Sequence, residues 1–340
     1  MPRRVIVTWA LWAFLLAQAF TSPSTFAQQP PPAPGWAEPP RPAGSWSTSN
    51  GAPRASRQNA SAFESGTLYV TAAAYGIGMG VWLDAELELS DPATVLIPPT
   101  LLGVAAPLTA YFADRGSLPR GVPGAVAAGL LIGAGEGLGI ASVQMVTSDQ
   151  PWGFTGLSRA VAIGSTLGGI GGYAVGVLQE PSPNISAFAT SGVVWGTFIG
   201  SAIGLGTSEE GIGFSRSNDA MARGGLFGFN AGLAATMALS MAFVPSLDQL
   251  SWMWLGGGIG AIVSLPVYLF YVGDGTPPAK RGLVFTGTAT TLGIVAGGTF
   301  GPLVGGVGLG SATSEFARVD YVTPFVLRGG VGLQVGGTLF

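Results

Sequence analysis

The stretch GSTLGGIGGYAVG, residues 164–176, carries a glycine at every fourth position, and two later apolar stretches repeat this spacing. Helical residues four apart lie on one face, so each series, here called a glycine ladder, forms a groove without side chains. Glycine costs a soluble helix about 1 kcal/mol per residue, whereas in lipid close backbone packing is a main way in which helices associate. The ladders therefore predict a membrane bundle with helix-packing glycines at Gly164, Gly168, Gly172, Gly176, Gly192, Gly196, Gly200, Gly204, Gly224, Gly228 and Gly232.

The overall composition agrees with a membrane location. Glycine accounts for 56 of the 340 residues, only 9% of residues are charged, and the mean hydropathy is +0.49. An average soluble domain has roughly 25% charged residues, so a soluble protein is disfavoured. The net charge is only -3 and no basic block is present, which argues against a nucleic-acid partner.

Cysteine and histidine are absent from the chain, and Lys280 is the only lysine. This composition removes disulfides, thiolate or imidazole metal sites, and every nucleophile pair that relies on Cys or His. We therefore expect a protein that is not an enzyme, with no catalytic residues, no metal site and no cofactor.

The first 27 residues have the features of an export signal. Arg3 and Arg4 precede a largely apolar run at residues 5–20, and Ala27 provides a small residue at the cleavage point. The alternative is an uncleaved first membrane helix, although this run is short for a span of ~20 residues. Residues 28–62 carry eight prolines among polar residues, which predicts a disordered, exported leader.

Residues 63–310 alternate long apolar stretches with short polar joints, which predicts a polytopic helical membrane domain of about eight glycine-rich transmembrane helices. Prolines inside three of the stretches predict kinks. For the tail, residues 311–340, we expect a short β-hairpin or an extended segment. The stretches are residues 66–83, 92–113, 121–147, 160–178, 185–206, 224–244, 250–272 and 282–309.

An outer-membrane β-barrel is the structural alternative, because glycines four apart also share one face of a strand. Barrel strands alternate apolar and polar residues over roughly 10 positions. The segment 193–199 instead puts apolar groups on both faces, and residues 231–243 are rich in Ala, Leu and Met, which favour helix. These patterns favour helices over a barrel.

Two weaker patterns bear on repeats and orientation. Arg159, Arg223 and Arg281 each open a small-residue-rich stretch at intervals of about 60 residues, which indicates a duplicated two-helix unit. With the N-terminus exported, the joints on the inner side carry five Lys and Arg residues against two on the outer side. This bias agrees with the positive-inside tendency of inner-membrane proteins.

Glu136 is the one charged residue deep inside a predicted span, within the segment GAGEGLG at residues 133–139. A carboxylate at the bilayer centre costs several kcal/mol unless it is protonated, paired or hydrated. Glu136, together with Asn230 in a later span, is therefore the candidate ion or proton site, and the alternative is a hydrogen bond that fixes helix register. The acidic joint at residues 84–91 offers oxygen ligands to a divalent cation, or is a solvated loop.

These observations lead to a functional expectation. We expect a multi-span integral protein of the bacterial cell envelope, in the inner rather than the outer membrane, that acts as a structural or assembly component of an envelope complex. Its partners are the lipid bilayer and other membrane helices, in a homo- or hetero-oligomer. The alternatives are a channel or transporter that uses Glu136, and the outer-membrane β-barrel.

Overall fold

The computed structural model describes residues 60–115, 118–208, 218–271, 278–304, 317–327 and 330–339. The predicted signal peptide and nearly all of the predicted leader lie outside the described residues.

Eight α-helices occupy the described part of the chain up to residue 304, one in each predicted apolar stretch. They are α1 (Ala62–Glu86), α2 (Ile97–Asp114), α3 (Val122–Thr147), α4 (Gly153–Gln179), α5 (Pro183–Thr207), α6 (Asp219–Ser240), α7 (Leu247–Val263) and α8 (Gly282–Val304). Five helical segments are long and apolar enough to cross a membrane: α3, α4, α5, Leu247–Tyr271 and Ala279–Gly301. The fold is therefore predominantly helical and has the character of a membrane-embedded bundle.

All eleven predicted packing glycines lie in α4, α5 and α6. The outer-membrane β-barrel alternative is wrong, because these glycines lie in helices. Their four-residue spacing places the glycines on one side of a helix of 3.6 residues per turn, not on one face of a pleated strand. The Ala, Leu and Met content of these segments, which favours helix, agrees with this outcome.

Consecutive helices pair as four antiparallel hairpins: α1 with α2, α3 with α4, α5 with α6, and α7 with α8. Helix α1 also contacts α3 and α4, α3 contacts α5 and α6, and α5 contacts α8. The hairpins thus follow one another in the order of the chain. Short joints explain this pairing, because neighbouring helices connected by a few residues must run antiparallel.

Local sequence signals define several helix ends. Ser61 begins α1, its hydroxyl accepting a hydrogen bond from the Glu64 amide while the Glu64 carboxylate accepts one from the Ser61 amide, which is a capping box. Pro183 occupies the first position of α5, where its missing N–H costs nothing. Pro266 follows the end of α7 at Val263, and residues Leu265–Tyr271 continue as a 3-10 helix. In contrast, α2 continues through Pro107.

The C-terminal strands, at the position where a hairpin or tail is expected, are β1 (Ala317–Leu327) and β2 (Gly330–Leu339). They pair antiparallel, with Ala317 opposite Leu339 and Leu327 opposite Gly330. The register shifts between Val319 and Tyr321, which is the mark of a β-bulge.

The outer surfaces of the helices carry many large apolar side chains. Helix α2 has no buried residue, and its Leu101 and Val104 are 65% and 57% exposed. At its C-terminal end, the Arg115 guanidinium lies over the rings of Tyr111 and Phe112 at 5.2 and 4.8 Å. These cation–π contacts cover the C-terminal end of α2.

Candidate functional site

The α3–α4 crossing brings two glycine series into backbone contact. A Cβ atom at Gly164 would overlap the carbonyl oxygen of Gly133, and one at Gly168 would overlap that of Gly129. At Gly172 the overlap would be with the carbonyl oxygen of Ala125. Gly176 completes the contact, because its Cβ would lie 2.9 Å from the Cα of Val122. The two helices therefore touch along more than three turns.

The same arrangement recurs in the α5–α6 hairpin. The glycines of α5 lie against the backbone of α6, so that a Cβ at any of them would meet a neighbour on that helix. Gly192 contacts Gly232 and the Thr236 side chain, while the pairs further along are Gly196 with Gly228, Gly200 with Gly224 and Gly204 with Ala220. In α7 and α8, Gly256 contacts Gly293 and Gly260 contacts Ala289. Three successive hairpins thus share one packing device, close backbone contact at glycine.

The glycines around Glu136 serve two different neighbours. Gly133 and Gly137 face the backbone of α4, whereas a Cβ at Gly135 would lie 2.6 Å from the Phe229 ring and one at Gly139 would lie 2.8 Å from Leu226 Cδ1. Phe229 and Leu226 belong to α6. The glycine-rich setting therefore seats α3 between α4 and α6.

Glu136 and Asn230 meet across this α3–α6 contact, although 94 residues separate them in sequence. The Asn230 Nδ2 group donates a hydrogen bond to Glu136 Oε2 at 3.0 Å and a second one to the Leu226 carbonyl oxygen at 3.1 Å. Glu136 is half-buried, and Asn230 is exposed. The two candidate site residues therefore form one polar pair near the middle of α3 and α6, on their outer side.

A groove of about 850 Å³ runs beside this pair along the outer side of α3 and α4. Glu136 forms part of its wall, and Arg159 and Trp152 lie in the same wall. Most of the remaining lining is glycine or apolar, including Ile140, Ile163 and Leu167, all of which are exposed large apolar side chains. We call this feature, lined by Gly133, Glu136, Gly137, Ile140, Trp152, Thr155, Gly156, Arg159, Ala160, Ile163, Gly164 and Leu167, the outer groove.

Arg159, in the wall of the outer groove, forms an ion pair with Glu86 at the end of α1. Arg159 Nε and Nη2 donate to the two carboxylate oxygens of Glu86 at 2.7 and 2.8 Å. Trp82 Nε1 donates to Glu86 Oε1 at 2.9 Å. The Arg159 hydrogen bond, followed by that from Trp82, lowers the pKa of Glu86. Such a two-bond pairing fixes the angle between guanidinium and carboxylate as well as their distance.

The acidic segment at residues 84–91 begins inside α1, which ends at Glu86. Within the described residues, no group of three or more Asp, Glu, His or Cys side chains is arranged to hold a metal ion. Glu86 is used in the ion pair with Arg159. Asp84 is buried, its Oδ1 atom has no hydrogen-bond partner in the described structure, and burial raises its pKa.

Two buried charged side chains were not identified from the sequence. The Glu64 carboxylate, whose residue is 1% exposed, accepts hydrogen bonds from the Gly121 amide at 2.6 Å and from the Ser61 amide at 2.9 Å. It thereby ties the start of α1 to the start of α3. The signal was present as the capping-box spacing of Ser61 and Glu64.

The second buried charge is Lys280, which is 4% exposed. Its Nζ donates to Ser208 Oγ at 3.1 Å. Ser208 is the C-cap residue of α5, where the partial negative charge of the helix end favours a cation. No sequence pattern links these two residues, which lie in different hairpins.

Aromatic side chains pack between α5 and α7. The rings of Trp195 and Trp254 lie 5.1 Å apart, and Trp254 Nε1 donates to Ser191 Oγ at 2.8 Å. These two tryptophans therefore join α5 to α7.

Glu136, Asn230 and Arg159 place a carboxyl group, an amide and a guanidinium on the outer surface. These groups can form hydrogen bonds with a segment that packs against them.

No protein-family model matches the chain, and no curated protein or solved structure matches it.

Proposed function

We propose that this chain is a non-enzymatic structural or assembly component of a bacterial envelope complex, embedded as a multi-span protein in the inner membrane. In this proposal the domain at residues 63–310 crosses the membrane eight times. The signal peptide directs the N-terminus outward, and the leader at residues 28–62 remains on that side.

The observation that carries the proposal is the outward position of the Glu136–Asn230 pair. A polar pair between apolar helices is costly when it faces hydrocarbon, so it belongs against another protein segment or water. Because Asn230 is exposed and the adjoining outer groove opens on the same side, a lateral partner helix can cover both. Polar side chains between membrane helices supply hydrogen bonds of modest strength and high directionality.

The glycine ladders support a scaffold in a second way. Each ladder glycine of α4, α5 and α6 is already in contact with its neighbouring helix. A side chain at any of these positions would displace a backbone, so the hairpins have little freedom to slide. A rigid frame of this kind is suited to holding a partner in a fixed orientation.

A channel or transporter is the second candidate, and the 3.0 Å contact between Glu136 and Asn230 favours it. A carboxyl group held by an amide at mid-membrane depth is a plausible proton or cation carrier. In that case Glu136→Gln abolishes flux, because the amide cannot release a proton.

Two measurements test the proposal together. Purified full-length protein in liposomes is expected to give no proton, Na⁺ or K⁺ flux above empty liposomes, with Glu136→Gln as the matched variant. In native membranes, a photo-reactive amino acid at Ile163, in the wall of the outer groove, is expected to cross-link to protein. The same probe at Val104, an exposed apolar position on α2, is the control.

Flux that depends on Glu136 would contradict the scaffold proposal and favour the transporter. Cross-linking of the Ile163 probe to lipid alone would remove the lateral partner.

A further inference from the structure

We infer that the α1–α2 hairpin is a pH-sensitive hinge, which is closed at the joint between the two helices while Asp84 is protonated and opens there when Asp84 is ionised. This conformational property goes beyond the proposed assembly function and does not depend on a partner. The inference starts from the surroundings of Asp84, in the last turn of α1.

Asp84 is a buried carboxyl group with an unpartnered oxygen. The residue is 8% exposed, and its Oδ1 atom has no hydrogen-bond partner within the described residues. A buried carboxylate needs hydrogen bonds or a nearby cation to stay ionised at low cost, whereas the protonated group carries no charge. Burial accordingly raises the pKa of Asp84. The closed arrangement seen in the structure therefore fits the protonated carboxyl group.

The start of α2 explains why donors are missing there. Gly76 and Gly80 mark the face of α1 that α2 covers, because a Cβ atom at either glycine would overlap the backbone of α2. Asp84 lies one turn beyond Gly80 on that face, close to the point where α2 begins. The free N–H groups at the start of a helix normally suit a carboxylate. In the first turn of α2, however, Pro98 and Pro99 have no N–H to donate.

The charged groups of the surrounding elements do not neutralise an ionised Asp84. The one cation in helices α1 to α4, Arg159, already donates two hydrogen bonds to Glu86. The other charged side chains of these helices and of the α1–α2 joint are all carboxylates, which add no positive charge: Glu64, Glu86, Glu88, Asp91, Asp114 and Glu136. Ionisation of Asp84 therefore favours a conformation in which water reaches the carboxylate.

The opposite end of the hairpin is held by a carboxylate that has its donors. Asp114 Oδ2 accepts hydrogen bonds from the Tyr69 hydroxyl at 2.6 Å and from Ser65 Oγ at 3.1 Å. Helix α2 has no buried residue, and among the described helices it packs extensively on α1 alone. It can therefore tilt away at its first turn while its last turn stays attached, which is a hinge motion.

The direction of the pH dependence follows from the two forms of the hairpin. Opening lets water solvate the Asp84 carboxyl group, so its pKa returns to about 3.9. As the pH rises above this value, the closed form loses stability until the pH passes its raised pKa, and the ratio of open to closed hairpin rises by at most about tenfold per pH unit. Titration of Glu86 has the opposite effect, because Arg159 lowers the pKa of Glu86 and acid weakens that ion pair. Opening as the pH rises therefore identifies Asp84.

The experiment measures distances between spin labels by double electron–electron resonance, in the full chain in lipid nanodiscs that expose both faces to the buffer. Because the chain has no cysteine, labels attach only to introduced ones. Ile97→Cys on α2 with Phe154→Cys on α4 reports the joint end, and Leu108→Cys with Leu178→Cys reports the far end; all four positions are exposed. From about pH 4 to about pH 8 the first distance is expected to lengthen by several ångströms and the second to stay constant.

Three variants assign the response to Asp84. Asp84→Asn keeps the shape of the side chain without a charge, so the joint-end distance is expected to stay short at every pH. Glu88→Gln removes an exposed carboxylate in the same joint; it is the matched control and is expected to keep the full response. Pro98→Ala leaves Asp84 in place and adds an N–H group at the start of α2. It is expected to reduce the lengthening, because the ionised carboxylate then has a donor.

A joint-end distance that does not change with pH would overturn the hinge. Lengthening that persists in Asp84→Asn would also overturn it, as would lengthening in acid, which would point to the Glu86–Arg159 pair. If Asp84→Asn does not fold, Pro98→Ala decides, and a response equal to that of natural Pro98 would overturn the inference. None of these results bears on the assembly function, which the flux and cross-linking measurements test separately.

Discussion

Replacing Gly168 with alanine tests whether α3 and α4 are held together backbone to backbone. The added methyl group would overlap the carbonyl oxygen of Gly129 and lie 2.9 Å from the Cα of Gly133. Both neighbours are backbone atoms, so no change of rotamer can relieve the clash. The two helices themselves must separate.

The structure sets the size of this effect. Ordinary van der Waals contact of a Cβ atom begins at 3.4 Å, so the helices must move apart by at least about half an ångström near Gly133, and by more near Gly129. Overpacking of this kind typically costs about 1–3 kcal/mol. Alanine also raises helix propensity by up to about 1 kcal/mol, which opposes the loss. Gly171→Ala provides the correction, because Gly171 lies in the same helix and has no atom within 4 Å of the added Cβ.

The measurement is the free energy of unfolding in mixed micelles titrated with a denaturing detergent and followed by far-UV circular dichroism. Gly168→Ala is expected to be less stable than Gly171→Ala by about 1–3 kcal/mol, since the propensity gain is common to both. Gly171→Ala is expected to match or exceed the stability of the natural protein. Equal stability of the two variants would refute backbone contact at this crossing.

Two carboxyl groups and one turn with a positive φ give three further predictions. Glu86→Gln should lower the melting temperature at pH 7, because Arg159 lowers the pKa of Glu86 in the folded protein. This difference from the natural protein should be lost as the pH falls from about 4.3 through the lower folded pKa. A difference in melting temperature that persists unchanged in acid would count against this prediction. Asp84→Asn should raise the melting temperature at neutral pH, because burial raises the pKa of Asp84 and so penalises its ionised form. The gain in melting temperature should disappear below about pH 3.9, where Asp84 is protonated in both states. A lower melting temperature of the variant at pH 7 would speak against this reasoning. Gly121→Ala should destabilise the protein by about 1–3 kcal/mol or more. The reason is that φ is +88° at this residue and the new Cβ would overlap the Pro181 carbonyl oxygen. If the variant has the same free energy of unfolding in denaturing detergent as the natural protein, the turn tolerates a side chain.

The helical fold was accessible from sequence because its signals are local. Long apolar stretches predicted eight helices, and the described chain has one in each. The glycine spacing at residues 164–176 predicted that one face of α4 lacks side chains, since helix geometry fixes side-chain direction once a segment is helical. The same spacing was compatible with a strand, and the surrounding residue types correctly favoured helix.

The candidate site was accessible only in part. Glu136 stood out because a charge inside an apolar stretch is rare, and Asn230 because it is polar there. Their 3.0 Å contact could not be read from the chain, since it depends on how Phe229 and Leu226 fit against Gly135 and Gly139.

The sequence alone determined the membrane character, the number of helices and the helix faces that lack side chains. Each of these depends on residues within a few turns of one another. The three-dimensional packing assigned each ladder its partner, buried Lys280 against Ser208, and placed Glu136 and Asn230 together on the outside of α3 and α6. Those outcomes depend on contacts between hairpins, where many pairings are compatible with the same local pattern and the closest fit of backbones and side chains selects one.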